Sequence, residues 1–323
     1  MKIRPEDILS PRITQLLLLS AYAIIITALW WYMAIRQAPL WQNIIVQITY
    51  VATATLVTSV LFRTKQTRMF EITPALLAYS VAMSTNVWLT NHDVTDVAIS
   101  IVLLVTMHIS SDLWKTDHPV RRMFIISFLI TAVSAAKPSL ILLVPAIWLC
   151  FIVLQSFSLR TLLSSLIAIA CVVILICGTI YLVIPQFFDP LQQHLLEAAN
   201  NLKQPFTDIT APEHINTLYC LAAMVAIAAF NIIYQKINEY RDEQYTRVQT
   251  TTWGIILITI FLLYLAYPDR ALNMPTTILT LLLIIHSTAM RPTWSLLVCW
   301  VIFFLTLATS FAFSINTLVH FMA

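Results

Sequence analysis

Two aspartates at the start of a long apolar segment, Asp93 and Asp96, are the acidic residues whose spacing best suits chemistry. Residues three apart lie on the same side of a helix, so both carboxylates can face one ligand. Paired carboxylates bind a divalent cation or act as a general base, and His92 beside them is a candidate substrate contact. Acids at the start of a helix also cap its first amides and complement its dipole. The sequence leaves the ligand site and the helix cap both open.

Two basic residues occupy breaks between other apolar segments. Lys137 precedes Pro138, and Arg270 follows Asp269. A basic residue in such a place can contact a phosphate or pair with a carboxylate, but each dipeptide is also an ordinary turn. We therefore treat Lys137 and Arg270 as candidate substrate-binding residues, with a simple loop connection as the alternative. The chain has no glycine-rich phosphate loop, dinucleotide fingerprint, zinc-protease motif or nucleophile elbow that would indicate another chemistry.

The elements that must position these residues are membrane helices. Of 323 residues, 59% are hydrophobic and 10% are charged, whereas a soluble domain has about 45–50% apolar and about 25% charged residues. The apolar residues form runs of roughly 20, the length that a spanning helix needs. The net charge of +3 gives no reason to expect nucleic acid as a partner. We predict an all-α transmembrane bundle in which residues 1–323 form one integral membrane domain.

Eleven apolar runs between polar breaks predict eleven spans. If the N-terminus is cytoplasmic, 14 of the 18 basic residues lie on the cytoplasmic side, as the positive-inside rule requires, and the C-terminus lies outside. Aromatic residues such as Trp30 and Trp253 are expected at the membrane interfaces. The predicted spans are Ile13–Ile35, Trp41–Phe62, Phe70–Leu89, Val94–Trp114, Val120–Ala136, Ser139–Phe157, Leu162–Ile184, Ile215–Tyr234, Val248–Tyr267, Ala271–Met290 and Trp294–Phe313.

Two loops are longer than a turn. The outer loop, residues 185–214, contains Asp189-Pro190, a helix-start signal, and Leu191, Leu195 and Leu202 then share one side of a helix. We predict an amphipathic helix that lies on the outer membrane surface. The cytoplasmic loop, residues 235–252, is highly charged. It is either a solvated extension of the preceding helix or a docking site for a cytoplasmic partner.

Glycine is scarce, since the chain contains only two. Transporters bind substrate where helices are interrupted at Gly or Pro in corresponding positions of two halves. The prolines that could interrupt helices here, Pro74, Pro145 and Pro275, show no symmetric placement in the sequence. A transporter is therefore the weakest function hypothesis.

The stretch from Asn91 to Pro185, about a third of the chain, contains the segments TNHDVTDVAISIVLL, WKTDHPVRRM and SAAKPSLILLVPAIWLCFIVLQSFSLRTLLSSLIAI. On these segments it resembles the middle of GT-C-type membrane glycosyltransferases, which use a polyprenyl-phosphate sugar donor. It resembles more closely an uncharacterised family of multi-pass inner-membrane proteins from Bacteroidota, in which a proline-rich helix leads into a similar SFSLR turn. GT-C enzymes carry a catalytic acid in the first outer loop, but residues 36–40 here include no carboxylate. The last of the three segments predicts a long helix with a central proline.

The resemblance implies two further hypotheses, and it leaves open whether the chain is an enzyme. The first is a GT-C-like transferase of the bacterial inner membrane that acts on a polyprenyl-phosphate-linked sugar at the outer leaflet. It implies Asp93 or Asp96 as base or ligand of a divalent cation, and Lys137 near the donor phosphate. The second is a non-catalytic scaffold subunit of a cell-envelope complex, with other membrane subunits as partners.

Overall fold

The chain is helical throughout the part that the structure describes. A computed structural model describes residues 11–37, 39–63, 72–85, 94–111, 113, 119–183, 193, 196, 200, 202, 205–206, 212–238, 244–289, 301, 304–312 and 314–315. None of these residues lies in a β-strand. The prediction of an all-α protein is confirmed for this part of the chain.

The helices coincide with the predicted apolar runs. Short 3₁₀ turns at Pro138–Leu142 and Arg270–Leu272 lead into two of them, and residues 304–312 are also helical. The α-helices are α1 Pro11–Gln37, α2 Leu40–Arg63, α3 Ile72–Thr85, α4 Val94–Ser111, α5 Pro119–Ser134, α6 Leu143–Val153, α7 Leu159–Val183, α8 Pro212–Asn238, α9 Gln244–Ala266 and α10 Asn273–Ala289.

Five helices are long and apolar enough to cross a membrane, namely α1, α2, α7, α8 and α9. They make the chain a membrane protein. Shorter apolar stretches occur in α3, α4, the segment Pro138–Val153 and α10. Because a perpendicular crossing of the hydrocarbon core takes about 20 residues, length and hydropathy alone assign five crossings among the described residues.

Three prolines lie at helix starts. Pro74, Pro145 and Pro275 are the third residues of α3, α6 and α10. The first four amides of a helix have no acceptor within it, so a proline there removes no hydrogen bond. Pro145 also lies near the middle of the continuous helical segment Pro138–Val153, which is consistent with the central proline predicted for the sixth span.

The chain divides into two compact units whose segments alternate along the sequence. Unit 1 comprises residues 1–97, 219–237 and 277–323, and unit 2 comprises residues 98–218 and 238–276. The sequence analysis treated the same residues as one membrane domain. Each unit contains parts of several predicted spans, so the division follows packing and not the order of the helices.

Unit 1 is built on packing among α1, α2 and α3. Trp30 is 0% exposed, and its ring packs edge-on against Trp31 and Tyr50, with centroid separations of 5.4 and 6.5 Å. The Asn43 side chain donates a hydrogen bond to the Ala34 carbonyl at 3.1 Å and so joins α1 to α2. The Trp30 indole therefore belongs to the unit 1 core, and the interfacial depth expected for it stays a prediction.

Unit 2 has its closest helix packing between α5 and α7. The Ser127 and Ser165 hydroxyls lie 2.7 Å apart in this interface. Trp148 of α6 donates its indole N–H to Ser165 Oγ at 3.0 Å, so one serine joins three helices. Trp253 of α9 is only 1% exposed and packs inside unit 2, while the interfacial depth expected for it stays a prediction.

The outward surface of α7 is apolar along most of its length. Exposure of these apolar side chains to water would cost about 25 cal/mol for each Å² of apolar area. Contact of the same side chains with lipid tails carries no such cost. The pattern supports a lipid-facing position for α7. Its exposed apolar residues include Leu163, Leu166, Ile167, Val173, Ile174, Leu175 and Leu182.

Candidate functional site

Lys137 and Asp269 form an ion pair at one end of unit 2. Lys137 Nζ lies 3.3 Å from Asp269 Oδ1, and their side chains are 32% and 12% exposed. The sequence allowed either a phosphate or a carboxylate as the partner of Lys137, and it indicated Asp269 only as part of a turn. The structure instead brings Lys137 to the turn that carries Arg270.

Local backbone geometry places the two charges. Pro138 is the first residue of a 3₁₀ turn, and Lys137 is its extended N-cap. Asp269 directly precedes the second 3₁₀ turn, and its Oδ1 accepts a hydrogen bond from the Ala271 amide at 3.1 Å. Its carbonyl accepts the Leu272 amide at 3.1 Å. Each charged residue therefore directly precedes a 3₁₀ turn, and the ion pair joins the two turns.

Three further hydrogen bonds join segments at the same end of unit 2. We call it the lysine end and define it by Lys137, Asp269 and the residues of these three hydrogen bonds. Ser100 Oγ of α4 donates to the Ala271 carbonyl at 3.1 Å. The Tyr267 hydroxyl donates to the Leu202 carbonyl at 2.6 Å. The Phe206 amide donates to the Ala266 carbonyl at 2.9 Å.

These contacts attach part of the predicted outer loop to the end of α9. Gln193, Leu196 and Asn200 are helical and exposed, which is consistent with the predicted helix in this loop. Leu202 and Phe206 follow in turns, and Phe206 has φ of 70°. The loop is therefore fastened to the lysine end just after its helical residues.

Asn273 adds an acceptor that the sequence analysis missed. Its side chain is 2% exposed, and its Oδ1 has no hydrogen-bond partner among the described residues. It lies four residues after Asp269, at the start of α10. The only sequence signal for this residue was an asparagine within an apolar run. Because Asn273 lies inside the predicted span Ala271–Met290, it was counted as part of that span.

The predicted acidic pair is only partly described. Asp96 is in the first turn of α4 and is 4% exposed, so it is a buried carboxylate at a helix start, as both interpretations of the pair require. His92 and Asp93 lie outside the described residues, as does the Arg270 side chain, whose backbone begins the second 3₁₀ turn. Asp96 belongs to unit 1, and Lys137 and Arg270 belong to unit 2.

The described residues do not supply a metal site. Among them, no three His, Cys, Asp or Glu side chains come together, and Asp96 is the one member of the acidic pair that is described. A Ca²⁺ ion takes six to eight oxygen ligands, which one carboxylate does not provide. The described residues alone do not provide the ligands for the divalent cation considered from the sequence, and no chemical step below uses one.

Unit 1 contains a polar chain that the sequence analysis did not single out. Thr27 Oγ1 donates to the Ala23 carbonyl at 2.6 Å, so it accepts the proton of the Tyr79 hydroxyl, 3.0 Å away. Tyr79 Oη in turn accepts a hydrogen bond from the Gln47 amide. Side chains of α1, α2 and α3 are thus joined by one directed series of hydrogen bonds.

No protein-family model, curated protein or solved structure matches this chain. The function is therefore argued from the residues and their geometry. Pro145 and Pro275 both follow 3₁₀ turns at the lysine end, where helices start.

Proposed function

We propose that the chain is a multi-pass protein of a bacterial inner membrane that acts as a GT-C-like glycosyltransferase on a polyprenyl-phosphate-linked donor at the outer leaflet. The observation that carries this proposal is the Lys137–Asp269 ion pair. It joins the segment of one candidate substrate-binding residue, Lys137, to the turn of the other, Arg270.

The charges at the lysine end suit a phosphate group. Lys137 and Arg270 supply two cations, and Asp269 supplies one carboxylate, so the three residues together carry net positive charge. Cations bind phosphate oxygens through charge-assisted hydrogen bonds. The buried Oδ1 of Asn273 offers an acceptor that suits a sugar hydroxyl.

In this proposal Asp96 or Asp93 acts as general base. The base takes the proton of an acceptor hydroxyl, whose oxygen forms a bond to the anomeric carbon of the sugar. The bond from that carbon to the donor phosphate oxygen breaks, and polyprenyl phosphate leaves with the electron pair. General-base assistance contributes about 10²–10⁴-fold to the rate of such a step.

Substitution of the two acids tests the proposal. In membranes that contain the protein and a polyprenyl-linked sugar, Asp93→Asn/Asp96→Asn should reduce donor consumption by about 10²-fold or more, with normal insertion and amount of protein. Arg247→Gln is the control, because Arg247 lies in the first turn of α9, at the end of that helix away from Asp269, and should leave turnover unchanged. Normal turnover by the double variant would overturn the assignment of the acids.

The alternative is a non-catalytic scaffold subunit of a cell-envelope complex. The observation that favours it is the set of contacts in which Lys137, Asp269 and Tyr267 fasten turns and the loop to each other, as structural residues do. A scaffold should co-purify with other membrane subunits in mild detergent. A monodisperse monomer under those conditions would count against it.

A further inference from the structure

The end of unit 2 opposite the lysine end carries exposed arginines beside exposed apolar side chains. Arg121 is in the first turn of α5, and Arg160 is in the first turn of α7. Both side chains are exposed, and neither forms an ion pair within the described part of the chain. Because α5 has 16 residues, this end lies about 24 Å along the helix from the lysine end.

A hydrogen bond holds the two helix starts together. Ser164 Oγ of α7 donates to the Val120 carbonyl of α5 at 2.9 Å. Arg121 directly follows Val120, and Arg160 is one helical turn before Ser164 on the same face of α7. We call the surface formed by Val120, Arg121, Phe157, Leu159 and Arg160 the arginine surface.

The turn between α6 and α7 fixes the apolar part of this surface. Ser158 Oγ accepts the Thr161 amide at 3.3 Å, and Thr161 Oγ1 accepts the Ser158 amide at 2.8 Å, which is a reciprocal helix cap. Ser156 Oγ also donates to the Leu113 carbonyl at 2.9 Å. The backbone is therefore held in place, while Phe157 and Leu159 are 42% and 71% exposed.

The combination of groups identifies the kind of partner. Two exposed guanidinium groups suit a phosphate, since arginine binds phosphate through paired N–H donors. The adjacent Phe157 and Leu159 suit acyl chains, and aromatic residues occur where membrane meets water. A soluble anion would contact only the two guanidinium groups, and a neutral lipid would contact only Phe157 and Leu159. An anionic phospholipid uses both.

We propose that the arginine surface is a binding site for an anionic glycerophospholipid, with its phosphate between Arg121 and Arg160 and its acyl chains against Phe157 and Leu159. The two helix starts add partial positive charge, because the dipoles of α5 and α7 both present their N-terminal ends there. The site lies outside the proposed transferase site and does not depend on the transferase function.

Native mass spectrometry of the full-length protein in a neutral detergent tests the proposal, with phosphatidylglycerol as the probe. A basic residue near an anionic surface contributes about 1 kcal/mol, so Arg121→Gln or Arg160→Gln should each weaken phosphatidylglycerol binding about five-fold. The double variant should weaken it about 25-fold. Arg121→Lys/Arg160→Lys should weaken it by less than the double glutamine variant, because the charges remain but the paired N–H donors are lost.

Three controls distinguish a lipid site from general charge attraction and from a soluble-anion site. Arg247→Gln removes an exposed arginine of α9 and should leave phosphatidylglycerol binding unchanged; an equal loss would mean a general charge effect and overturn the proposal. Phosphatidylcholine should bind to the protein and to Arg121→Gln/Arg160→Gln with the same low affinity. Inorganic phosphate should not compete at millimolar concentration, and full competition would show a soluble-anion site instead.

Discussion

At the scale of single residues, the left-handed backbone at Gln155 ends α6. Its φ is 55°, its amide donates to the Ile152 carbonyl at 3.0 Å, and the next amide, of Ser156, donates to the Phe151 carbonyl at 3.0 Å. This is a Schellman arrangement, in which glycine usually occupies the left-handed position. A side chain in that conformation costs about 1–2 kcal/mol.

Gln155→Gly should therefore stabilise the protein. The Gln155 side chain is exposed, so its loss should cost little, and thermal unfolding in detergent should show a midpoint higher by a few degrees. Gln155→Ala retains the unfavourable backbone conformation and serves as the matched control. Equal midpoints for the glycine and alanine variants would show that the left-handed conformation carries no cost here.

Tyr79 is the central member of the polar chain in unit 1, and Tyr79→Phe should destabilise that unit. The substitution leaves the Gln47 amide and the Thr27 hydroxyl without their shared partner. Interhelical hydrogen bonds in membranes contribute about 0.6 kcal/mol on average and up to about 1.7 kcal/mol, so we expect a measurable fall in the thermal midpoint. Tyr219→Phe makes the same chemical change at a 69% exposed position and should have no effect. A similar fall for both variants would assign the loss to something other than the chain of hydrogen bonds.

At the scale of helices, Ser165 is the shared partner of α5 and α6 on α7. Ser165→Ala should reduce the resistance of unit 2 to thermal unfolding, because it removes the acceptor of the Trp148 indole and the partner of Ser127. The expected loss is about 1–2 kcal/mol. Ser20→Ala is the control, since the Ser20 hydroxyl bonds to the carbonyl of Leu17 in its own helix. If both variants unfold alike, the three-helix contact is not stabilising.

Helix positions could be predicted from this sequence because long apolar runs between polar breaks are a local signal. The two 3₁₀ turns could not, because Pro138 and the Asp269-Arg270 pair are equally compatible with an ordinary turn. The partner of Lys137 could not be predicted either. Asp269 is more than a hundred residues away, and only packing of the helices brings the two together.

At the scale of the whole molecule, the charge distribution predicts an eleven-span protein with a cytoplasmic N-terminus. Alkaline phosphatase fusions after Asn200 or Thr317 should be active, because both positions are predicted outside. Fusions after Lys65 or Arg241 should be inactive, because both are predicted in the cytoplasm. Activity after Arg241 would contradict the predicted count, since each missed or added span before that residue reverses its side.

The division into two units could not be predicted from hydropathy. Hydropathy identifies apolar helices one at a time, and α1, α2, α7, α8 and α9 meet the length and hydropathy criterion for a span. It does not show which helices share a core. The residue type of Trp30 predicts a membrane interface, but it does not predict the contact with Tyr50 of α2.

The self-capped turn between α6 and α7 has a consequence for biogenesis. The Schellman arrangement at Gln155 and the reciprocal cap at Ser158 satisfy the backbone with residues no more than five apart. The connection can therefore form as soon as it is synthesised. Pro138–Val153 is short for a crossing, whereas Leu159–Thr179 is strongly apolar. We expect the two to leave the translocation channel together as a helical hairpin, with the second helix drawing the first into the bilayer.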